Sequence, residues 1–286
     1  LDAYADAGGR YIDTADVYGG GSCERWIGEW LAERDRERYT IASKIFWQIR
    51  DGDPNSRGTN RKNVRDRIDA LLDRLDTDYV DVLYIHRWDD QTDARELMKT
   101  LDGLVESGRV HYLGASTHRP NAWKVARANE IARANGWEPF TVLQPRYNLV
   151  DREIEGDYLA FARQQGLAVC PWSPLGQGFL TGKYDRDADV PADSKVAASR
   201  RFRESYLTPE NFDVHEELDA VAAAVDATPA QVALAWLCHR DGVTAPIVGA
   251  RTVEQLHENL AAASIDLSPA QVDRLTAAKA GPYDGL

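Results

Sequence analysis

The 286-residue chain carries 34 Lys and Arg against 46 Asp and Glu, a formal net charge of −12, and 43% of its residues are hydrophobic. An acidic chain of this kind lacks the basic patch that nucleic-acid binding requires, and its apolar content is too high for a disordered protein. No apolar stretch approaches the roughly 18 residues of a membrane span. These properties predict a soluble globular protein with no membrane span and no nucleic-acid partner.

The three cysteines, Cys23, Cys170 and Cys238, are widely spaced and odd in number. They form no C-x-x-C pair, so neither a disulfide framework nor a zinc site is expected, and a reducing cytoplasm fits best. The only methionine is Met98 and the chain begins at Leu1. We therefore expect the natural start to lie upstream.

Strand-like and helix-like runs alternate along the whole chain, after a first helix-like segment at Leu1–Ala7. The strand candidates are Tyr11–Ala15, Tyr39–Phe46, Tyr79–His86, Val110–Ala115, Phe140–Gln144, Leu167–Trp172 and Thr244–Val248. The helical stripes are Trp26, Ile27, Trp30 and Leu31; Val64, Ile68, Leu71, Leu72 and Leu75; Leu97, Leu101, Leu104 and Val105; Ile154, Tyr158, Phe161 and Ala162; and Val253, Leu256 and Leu260. This alternation predicts a parallel sheet covered by helices.

Two late helices begin with a recognisable cap. Thr228-Pro229-Ala230-Gln231 and Ser268-Pro269-Ala270-Gln271 each offer an N-cap hydroxyl, a proline in the first helical position and a glutamine for a capping box. These two boundaries are the sharpest local predictions.

The expected fold is an α/β single domain over residues 1–286, an eight-stranded (β/α)8 TIM barrel. Since a helix-like segment precedes the first visible strand, the first strand of a closed barrel would lie upstream of Leu1. A protein truly beginning at Leu1 would have an unpaired strand edge and low stability. Residues 182–212 are polar and aperiodic, which favours a functional lid.

Residues just past the barrel strands form the active site in such a fold. Asp13 and Tyr18 follow the first visible strand, Lys44 lies on the next and His86 ends the third. Each alone is better explained as packing or turn chemistry. Together they predict a proton-transfer site in which Lys44 lowers the pKa of the Tyr18 phenol and Asp13 keeps Lys44 charged.

The chain resembles the aldo-keto reductase family over nearly its whole length. The shared segments are Asp13-Thr14-Ala15-x-x-Tyr18-Gly19, Ala42-Ser43-Lys44, Ile85-His86, Gly114-Ala115-Ser116, Gln144 with Tyr147-Asn148, Trp172-Ser173-Pro174-Leu175, and Gly249-Ala250-Arg251 with Gln255-Leu256-x-Glu258-Asn259. The form that carries Trp-Ser-Pro-Leu is similar to bacterial reductases and potassium-channel β-subunits. The high content of Ala, Arg and Asp likewise suggests a bacterial source.

The resemblance implies that Tyr18 gives a proton to the carbonyl oxygen while the nicotinamide supplies hydride to the carbon. It further implies that Lys44 tunes Tyr18, that Asp13 pairs with Lys44, and that His86 orients the carbonyl. The resemblance also implies an N-terminal hairpin that closes the barrel bottom, which we expect to lie upstream of Leu1 together with the first strand.

The same resemblance implies a set of cofactor-binding residues. Ser116 and Gln144 would bind the nicotinamide carboxamide, with Thr117 where the family often has Asn, and the Trp172 ring would stack on the nicotinamide. The pyrophosphate turn would be Ser173, Pro174, Leu175, Gly176 and Gln177, and the adenosine site would be Gly249, Arg251, Gln255, Glu258 and Asn259. Arg251, Lys183 and Arg200 are the cations available to a 2′-phosphate, which favours NADP(H).

Substrate contacts are less well defined. Phe46, Trp47 and Trp88 follow the catalytic strands and are candidates for an aromatic pocket around a small carbonyl substrate, although large aromatics in barrels more often pack. The adjacent Asp89 and Asp90 lack a third clustered ligand, so no metal is expected. Small aldehydes, sugar ketones, including nucleotide-linked deoxysugars, and pyridoxal all fit the resemblance.

Two further functions stay open at this stage. A nicotinamide-sensing regulatory subunit, like the channel β-subunits, would keep the same residues. A Schiff-base aldolase would use Lys44, although the cofactor-like segments argue against it. The presence of Asp13, Tyr18, Lys44 and His86 favours the NADPH-dependent reductase.

Overall fold

The computed structural model describes residues 1–117, 122–186, 190 and 194–281, without the side chains of residues 117, 195 and 196. The chain divides into two compact units, Leu1–Gln144 and Pro145–Leu286. Each unit is treated by itself below.

The first unit alternates strands and helices in the predicted order. The strands are β1 (Tyr11–Asp13), β2 (Thr40–Ile45), β3 (Val80–Ile85), β4 (Val110–Thr117) and β5 (Phe140–Pro145, which ends at the first residue of the second unit). The helices are α1 (Asp2–Asp6), α2 (Ser22–Leu31), α3 (Arg61–Leu75), α4 (Ala94–Glu106) and α5 (Ala122–Asn135). Strands β1 to β5 are neighbours in chain order, and the ladders from β1 to β4 are parallel.

The register of these ladders brings the predicted site residues to one edge of the sheet. Asp13 is the last residue of β1 and pairs with Ala42, while Lys44 pairs with Tyr84 near the end of β3. The carboxyl ends of parallel strands meet at the same edge. The segments that follow β1, β2 and β3 therefore start close together.

Helix α3 shows how the sequence builds the core of this unit. Its side chains at Val64, Ile68, Leu71 and Leu75 are fully buried, as the helical spacing predicts. The helix starts at Asn60, whose side-chain oxygen accepts a hydrogen bond from the Asn63 N–H at 3.0 Å. Helix α5 was not predicted, because its apolar face consists largely of alanines.

The second unit is mainly helical in the part of the chain that the structure describes. Its strand is β6 (Ala168–Val169), and its helices are α6 (Asp157–Gln165), α7 (Lys195–Ala198), α8 (Arg200–Tyr206), α9 (Pro209–Ala224), α10 (Pro229–Cys238), α11 (Val253–Ala261) and α12 (Pro269–Ala277). The capping boxes predicted for α10 and α12 are both present.

The strand predicted at 244–248 is wrong as a regular element. The segment makes two backbone bonds, from Thr244 N–H to the Val169 carbonyl and from Ile247 N–H to the Pro171 carbonyl, both at 2.8 Å. Pro246 has no N–H, and the Val169 N–H bonds to the Thr244 hydroxyl at 3.0 Å instead of to a carbonyl. These features keep the pairing from continuing as a ladder.

The segment at 182–212, predicted to be a lid-like loop, contains helices. Its described part includes α7, α8 and the start of α9, while residues 187–189 and 191–193 lie outside the description. Tyr184 and Tyr206 are buried against Phe179, with ring centres 5.7 and 6.1 Å from its ring. The Tyr206 hydroxyl also donates to Asp151 at 2.9 Å. The helices are short, and short helices give little periodic signal.

The described residues contain six strands, so the structure shows an α/β fold with a parallel sheet but no closed eight-stranded barrel. The helix-like segment at Leu1–Ala7 is confirmed as α1. Among the described residues, no single helix has the length and hydropathy to cross a membrane; α9 and α10 have them only as a pair bent by 94°.

Candidate active site

A buried ion pair lies at the carboxyl edge of the sheet in the first unit. The Lys44 ammonium donates to Asp13 and, at 2.9 Å, to the Thr14 carbonyl. The other carboxylate oxygen of Asp13 accepts from the Gln144 amide at 2.8 Å. The structure therefore brings together Asp13, Lys44 and Gln144, which are far apart in the sequence.

Tyr18 and His86 lie beside this ion pair. The Lys44 nitrogen is 5.0 Å from the centre of the Tyr18 ring, and the His86 ring meets the Tyr18 ring edge-on at 5.8 Å. Tyr18 is 39% exposed, whereas Lys44 is fully buried. The phenol can thus meet a ligand from solvent while the cation stays behind it.

The expected lowering of the Tyr18 pKa is wrong for this structure. Burial raises the pKa of the Tyr18 phenol above its usual range, and the Asp13 carboxylate and Cys23 add to the rise. Burial also lowers the pKa of Lys44, against the opposing effect of Asp13. Asp13, the carboxylate partner of Lys44, thus acts on the phenol in the direction opposite to that of a cation.

Further aromatic rings lie beside His86. The Trp47 ring lies 6.2 Å from His86, and Phe46, which is buried, meets Trp47 edge-on at 5.2 Å. Trp88 lines a groove of about 340 Å³ together with Asp90, Trp123 and Lys124. Tyr18, His86 and Trp47 form one connected set of rings.

Three acidic residues form hydrogen bonds and ion pairs around the candidate site, and none of them was predicted as part of it. Glu24 is buried and accepts from the Ser43 hydroxyl and from Arg74, each at 2.6 Å. Asp89, expected to be solvated, accepts from the Thr59 N–H at 2.9 Å and the Thr92 hydroxyl at 2.7 Å, and so joins the loops after β2 and β3. Asp16 forms a buried pair with Arg67. A single sequence gives no signal for these pairs, because the partners are 19 to 51 residues apart for all but Thr92.

The carboxamide candidates of the first unit lie beside the ion pair. Ser116 is buried and its hydroxyl donates to the Gln144 main-chain carbonyl at 3.1 Å. The Gln144 amide nitrogen is bonded to Asp13, as described above. Thr117 ends β4, but its side chain lies outside the described part of the structure.

The predicted pyrophosphate turn in the second unit has a tight backbone. Positive φ angles occur at Ser173, Gly176, Gln177 and Gly178. A side chain at Gly176 is unfavourable because of the positive φ angle and because its Cβ would come within 3.3 Å of the Tyr206 ring. The N–H groups of Gly176 and Gly178 are bonded to carbonyls inside the turn. These two N–H groups therefore already have partners within the turn.

The residues around this turn are fixed by local bonds. The Trp172 N–H donates to the Pro145 carbonyl at 2.9 Å, and the Trp172 ring is partly exposed. The Gln177 amide donates to the Ser173 hydroxyl. Pro174 is buried and Leu175 is half-buried.

The cations considered for a 2′-phosphate are exposed. Lys183 lies over the Tyr184 ring, and Arg200 is paired with Glu204 at 2.7 Å. The Arg251 side chain is exposed beside Gln255. Each is accessible to an anionic ligand.

The adenosine candidates lie at the start and along the face of α11. Gly249 is exposed, and the Gln255 side-chain oxygen accepts from the Arg251 N–H at 3.0 Å. Glu258 accepts from the Thr228 hydroxyl at 2.8 Å, which ties α11 to the cap of α10. Asn259 is half-buried.

Comparisons with known proteins identify the family of this chain. The model of the aldo/keto reductase family matches residues 1–280. The chain is 34% identical to a norsolorinic acid reductase of Aspergillus flavus, over 99% of this chain and 71% of the relative. It is 36% identical to an aryl-alcohol dehydrogenase of Pestalotiopsis microspora, over 96% and 70%. It is 35% identical to an aldo-keto reductase of Emericella nidulans, over 96% and 70%.

The chain belongs to the aldo/keto reductase family and is an oxidoreductase. The relatives named above are fungal, so the expected placement among bacterial reductases and channel β-subunits is not supported. The expectation of a bacterial source likewise lacks support.

Proposed function

We propose that this protein reduces an aldehyde or ketone to the alcohol, taking hydride from NADPH and a proton from Tyr18. The observation that carries the proposal is the cluster in the first unit, where Tyr18 lies between the buried Lys44–Asp13 pair and His86. This arrangement supplies a proton donor with a cation and an orienting imidazole beside it.

The raised pKa keeps the Tyr18 phenol protonated but makes it a weaker acid, so proton transfer depends on the negative charge that develops on the carbonyl oxygen. The phenol stays protonated at neutral pH, so its proton is available as negative charge develops on the carbonyl oxygen. The Lys44 nitrogen lies 5.0 Å from the centre of the phenol ring, where a protonated Lys44 is proposed to stabilise the phenolate that remains. His86 is proposed to orient the carbonyl oxygen toward the phenol.

Members of the family generally use NAD(P)H, and the nicotinamide supplies hydride to the carbonyl carbon when bound. We assign the carboxamide to Ser116, Thr117 and Gln144 and the ring contact to Trp172. The pyrophosphate is assigned to the turn at 173–178 and the adenosine to Gly249, Arg251, Gln255, Glu258 and Asn259. The exposed cations Arg251, Lys183 and Arg200 support NADPH over NADH.

The carbonyl compound is proposed to be aromatic. Trp47 and His86 present rings next to the Tyr18 phenol, and such rings pack well against a flat aromatic substrate. The relative from Pestalotiopsis microspora is an aryl-alcohol dehydrogenase. Trp88 is proposed to contact larger substrates, while the burial of Phe46 supports a packing role.

The burial and the hydrogen bonds of Lys44 argue against the Schiff-base aldolase. A Schiff base needs a neutral, accessible amine, whereas Lys44 is fully buried and bonded to both Asp13 and the Thr14 carbonyl. A nicotinamide-sensing subunit with weak or no turnover is the alternative that the test below separates from the reductase.

The test follows NADPH absorbance after 4-nitrobenzaldehyde is added, with propanal as the non-aromatic comparison. We expect NADPH oxidation with a clear preference for the aromatic aldehyde. Tight NADPH binding without reduction of either aldehyde would favour the sensor. Equal rates with both aldehydes would reject the aromatic preference.

Tyr18→Phe provides the matched variant, because it removes the hydroxyl and keeps the ring. We expect the turnover number to fall by about 10²–10⁴-fold, the usual contribution of a general acid. Cofactor affinity, measured by tryptophan fluorescence quenching, should stay nearly unchanged. Turnover at the wild-type rate would remove Tyr18 from the mechanism.

A further inference from the structure

One buried guanidinium, that of Arg67 on α3, connects three segments of the first unit. Its Nε donates to Asp16 at 2.6 Å, and its Nη2 donates to the same carboxylate oxygen. Its Nη1 donates to the main-chain carbonyls of Trp47, at 2.6 Å, and Ser56, at 3.1 Å. The side chains of Arg67 and Asp16 are almost completely shielded from solvent.

These segments carry the candidate active-site residues. Asp16 lies two positions before Tyr18, in the loop after β1, and its N–H donates to the Lys44 carbonyl at 3.2 Å. Trp47 lies in the loop after β2 and belongs to the aromatic set described above. Arg67 therefore sets the position of the Tyr18 loop relative to the Trp47 loop.

Three glycines follow Tyr18 in sequence, and Gly19, Gly20 and Gly21 all have positive φ angles. Gly21 is buried, and a Cβ there would come within 2.8 Å of the Arg74 side chain, whereas a Cβ at Gly20 would meet nothing within 4 Å. Glycines have the largest conformational freedom of any residue, so this turn gains from further restraint on the residues before it. The side chain of Asp16, bonded to Arg67, supplies such a restraint.

We propose that Arg67, acting through Asp16 and the Trp47 carbonyl, is a positioning residue that holds the Tyr18 phenol at the reacting carbonyl. The proposal rests on the proposed function, since it concerns the same proton transfer. A displacement of the donor by about 1 Å is enough to slow such a step by up to 10²-fold.

The Arg67–Asp16 pair is poorly explained as a stability device alone. Taking both charges out of water costs free energy that their attraction often fails to recover. Within the described residues, the second carboxylate oxygen of Asp16 is buried without a hydrogen-bond partner. The hydrogen bonds of the Arg67 guanidinium are thus more complete than those of the Asp16 carboxylate. This is expected if the role of the pair is to hold the segments that Arg67 contacts.

The second unit offers a matched control in Arg152. This buried arginine also bonds one carboxylate, Glu155 at 2.6 Å, and two main-chain carbonyls, those of Thr276 and of Lys279 at 2.6 Å. It touches none of the proposed proton-transfer residues. Arg67→Lys and Arg152→Lys therefore remove the same kind of contact set at two different places.

The experiment compares these two variants with the wild type. Turnover of 4-nitrobenzaldehyde is measured per folded molecule, together with NADPH affinity and the isotope effect of NADPH deuterated at the transferred position. Hydrogen exchange over residues 13–21 and 46–59 gives a readout that does not depend on activity. Circular dichroism establishes that each variant is folded.

For Arg67→Lys we expect a 10- to 100-fold lower turnover number, a larger isotope effect, NADPH affinity within about twofold of wild type, and faster exchange at 13–21. Arg152→Lys should lower the melting temperature and leave these quantities unchanged. Loss of folded protein alone cannot raise an isotope effect, so that readout separates positioning from stability.

Equal turnover per folded molecule and equal exchange at 13–21 in the two variants would overturn the proposal. If Arg67→Lys does not fold, Asp16→Asn takes its place, because it keeps an oxygen acceptor for the guanidinium and weakens only the charge pairing. A wild type that oxidises no NADPH would reject the proposed function instead, and the exchange comparison would still test whether Arg67 orders the loop.

Discussion

Desolvation controls the ionisable side chains around Tyr18 more strongly than their partners do. Burial raises the pKa of Tyr18, and the Asp13 carboxylate adds to the rise; burial lowers the pKa of Lys44, against the opposing effect of Asp13. Both shifts favour the uncharged form. The phenol is therefore protonated at neutral pH, which the proposed role of Tyr18 as a proton donor requires.

Asp16 yields a prediction about pH. Burial raises its pKa to about 6, against the lowering effect of Arg67, with smaller effects from Glu24 and Arg74. The folded protein therefore binds a proton between about pH 4 and 6 that the unfolded chain has released. This group favours the folded state below about pH 4, and its contribution is lost as the pH rises through 6.

We expect the free energy of unfolding of the wild type, relative to Asp16→Asn, to fall by on the order of 2–3 kcal/mol from pH 4 to pH 7. Asparagine does not titrate, so the difference isolates this carboxyl. Urea denaturation at several pH values measures it. A difference that does not vary with pH, or that grows between pH 4 and 7, would contradict the raised pKa.

At the scale of single elements, helix boundaries and strand positions follow closely from the sequence. The capping boxes of α10 and α12 lie where the Thr-Pro and Ser-Pro segments predicted them. The stripe on α3 faces inward as its spacing required. The sequence predictions fail at 244–248, where Pro246 interrupts a strand-like run, and at the short helices α7 and α8, which give little periodic signal.

The contact between α2 and α3 gives a prediction at this scale. A Cβ at Gly28 would come within 2.8 Å of the main-chain atoms of Arg74 and Leu75, so α2 approaches the end of α3 through a residue without a side chain. Gly28→Ala should lower the free energy of unfolding by about 1–3 kcal/mol, because the backbone must move apart.

Gly103→Ala on α4 is the control. A Cβ at Gly103 would meet nothing within 4 Å, so the change should raise stability by about 0.5–1 kcal/mol through helix propensity alone. Thermal and urea unfolding of both variants measures the contrast. Opposite signs are expected, and a destabilised Gly103→Ala beside an unaffected Gly28→Ala would show that the packing of α2 is misassigned.

At the scale of the whole molecule, an acidic chain that binds a phosphorylated cofactor must do so through local cations. The formal net charge is −12, so the overall field repels NADPH and favourable contacts have to come from residues such as Arg251. A ligand that binds only the folded protein raises its stability by an amount set by its affinity.

We expect NADPH at 100 times its dissociation constant to add about 2.7 kcal/mol to the free energy of unfolding. At the same concentration NADH should raise the melting temperature less, and Arg251→Gln should narrow the gap between the two cofactors. Thermal melts with each cofactor measure both effects. Equal shifts for NADPH and NADH in the wild type would contradict the preference for NADP(H).

The sequence by itself determined the family, the parallel α/β arrangement and the residues considered for the chemistry. The candidate residues could be found because each lies near the end of a strand or just past it, and the strand ends of a parallel sheet share one edge. These residues are Asp13, Tyr18, Lys44 and His86. Periodicity and capping depend on neighbours within a few residues, which the sequence displays directly.

Only the tertiary structure decided the electrostatics and the supports of the site. The rise in the Tyr18 pKa depends mainly on burial. The bond from Gln144 to Asp13 and the contacts of Arg67 with Asp16 and Trp47 join groups that are 20 to 131 residues apart. Burial and long-range hydrogen bonds are properties of the folded chain. They set protonation and position, which residue identity and spacing alone leave undetermined.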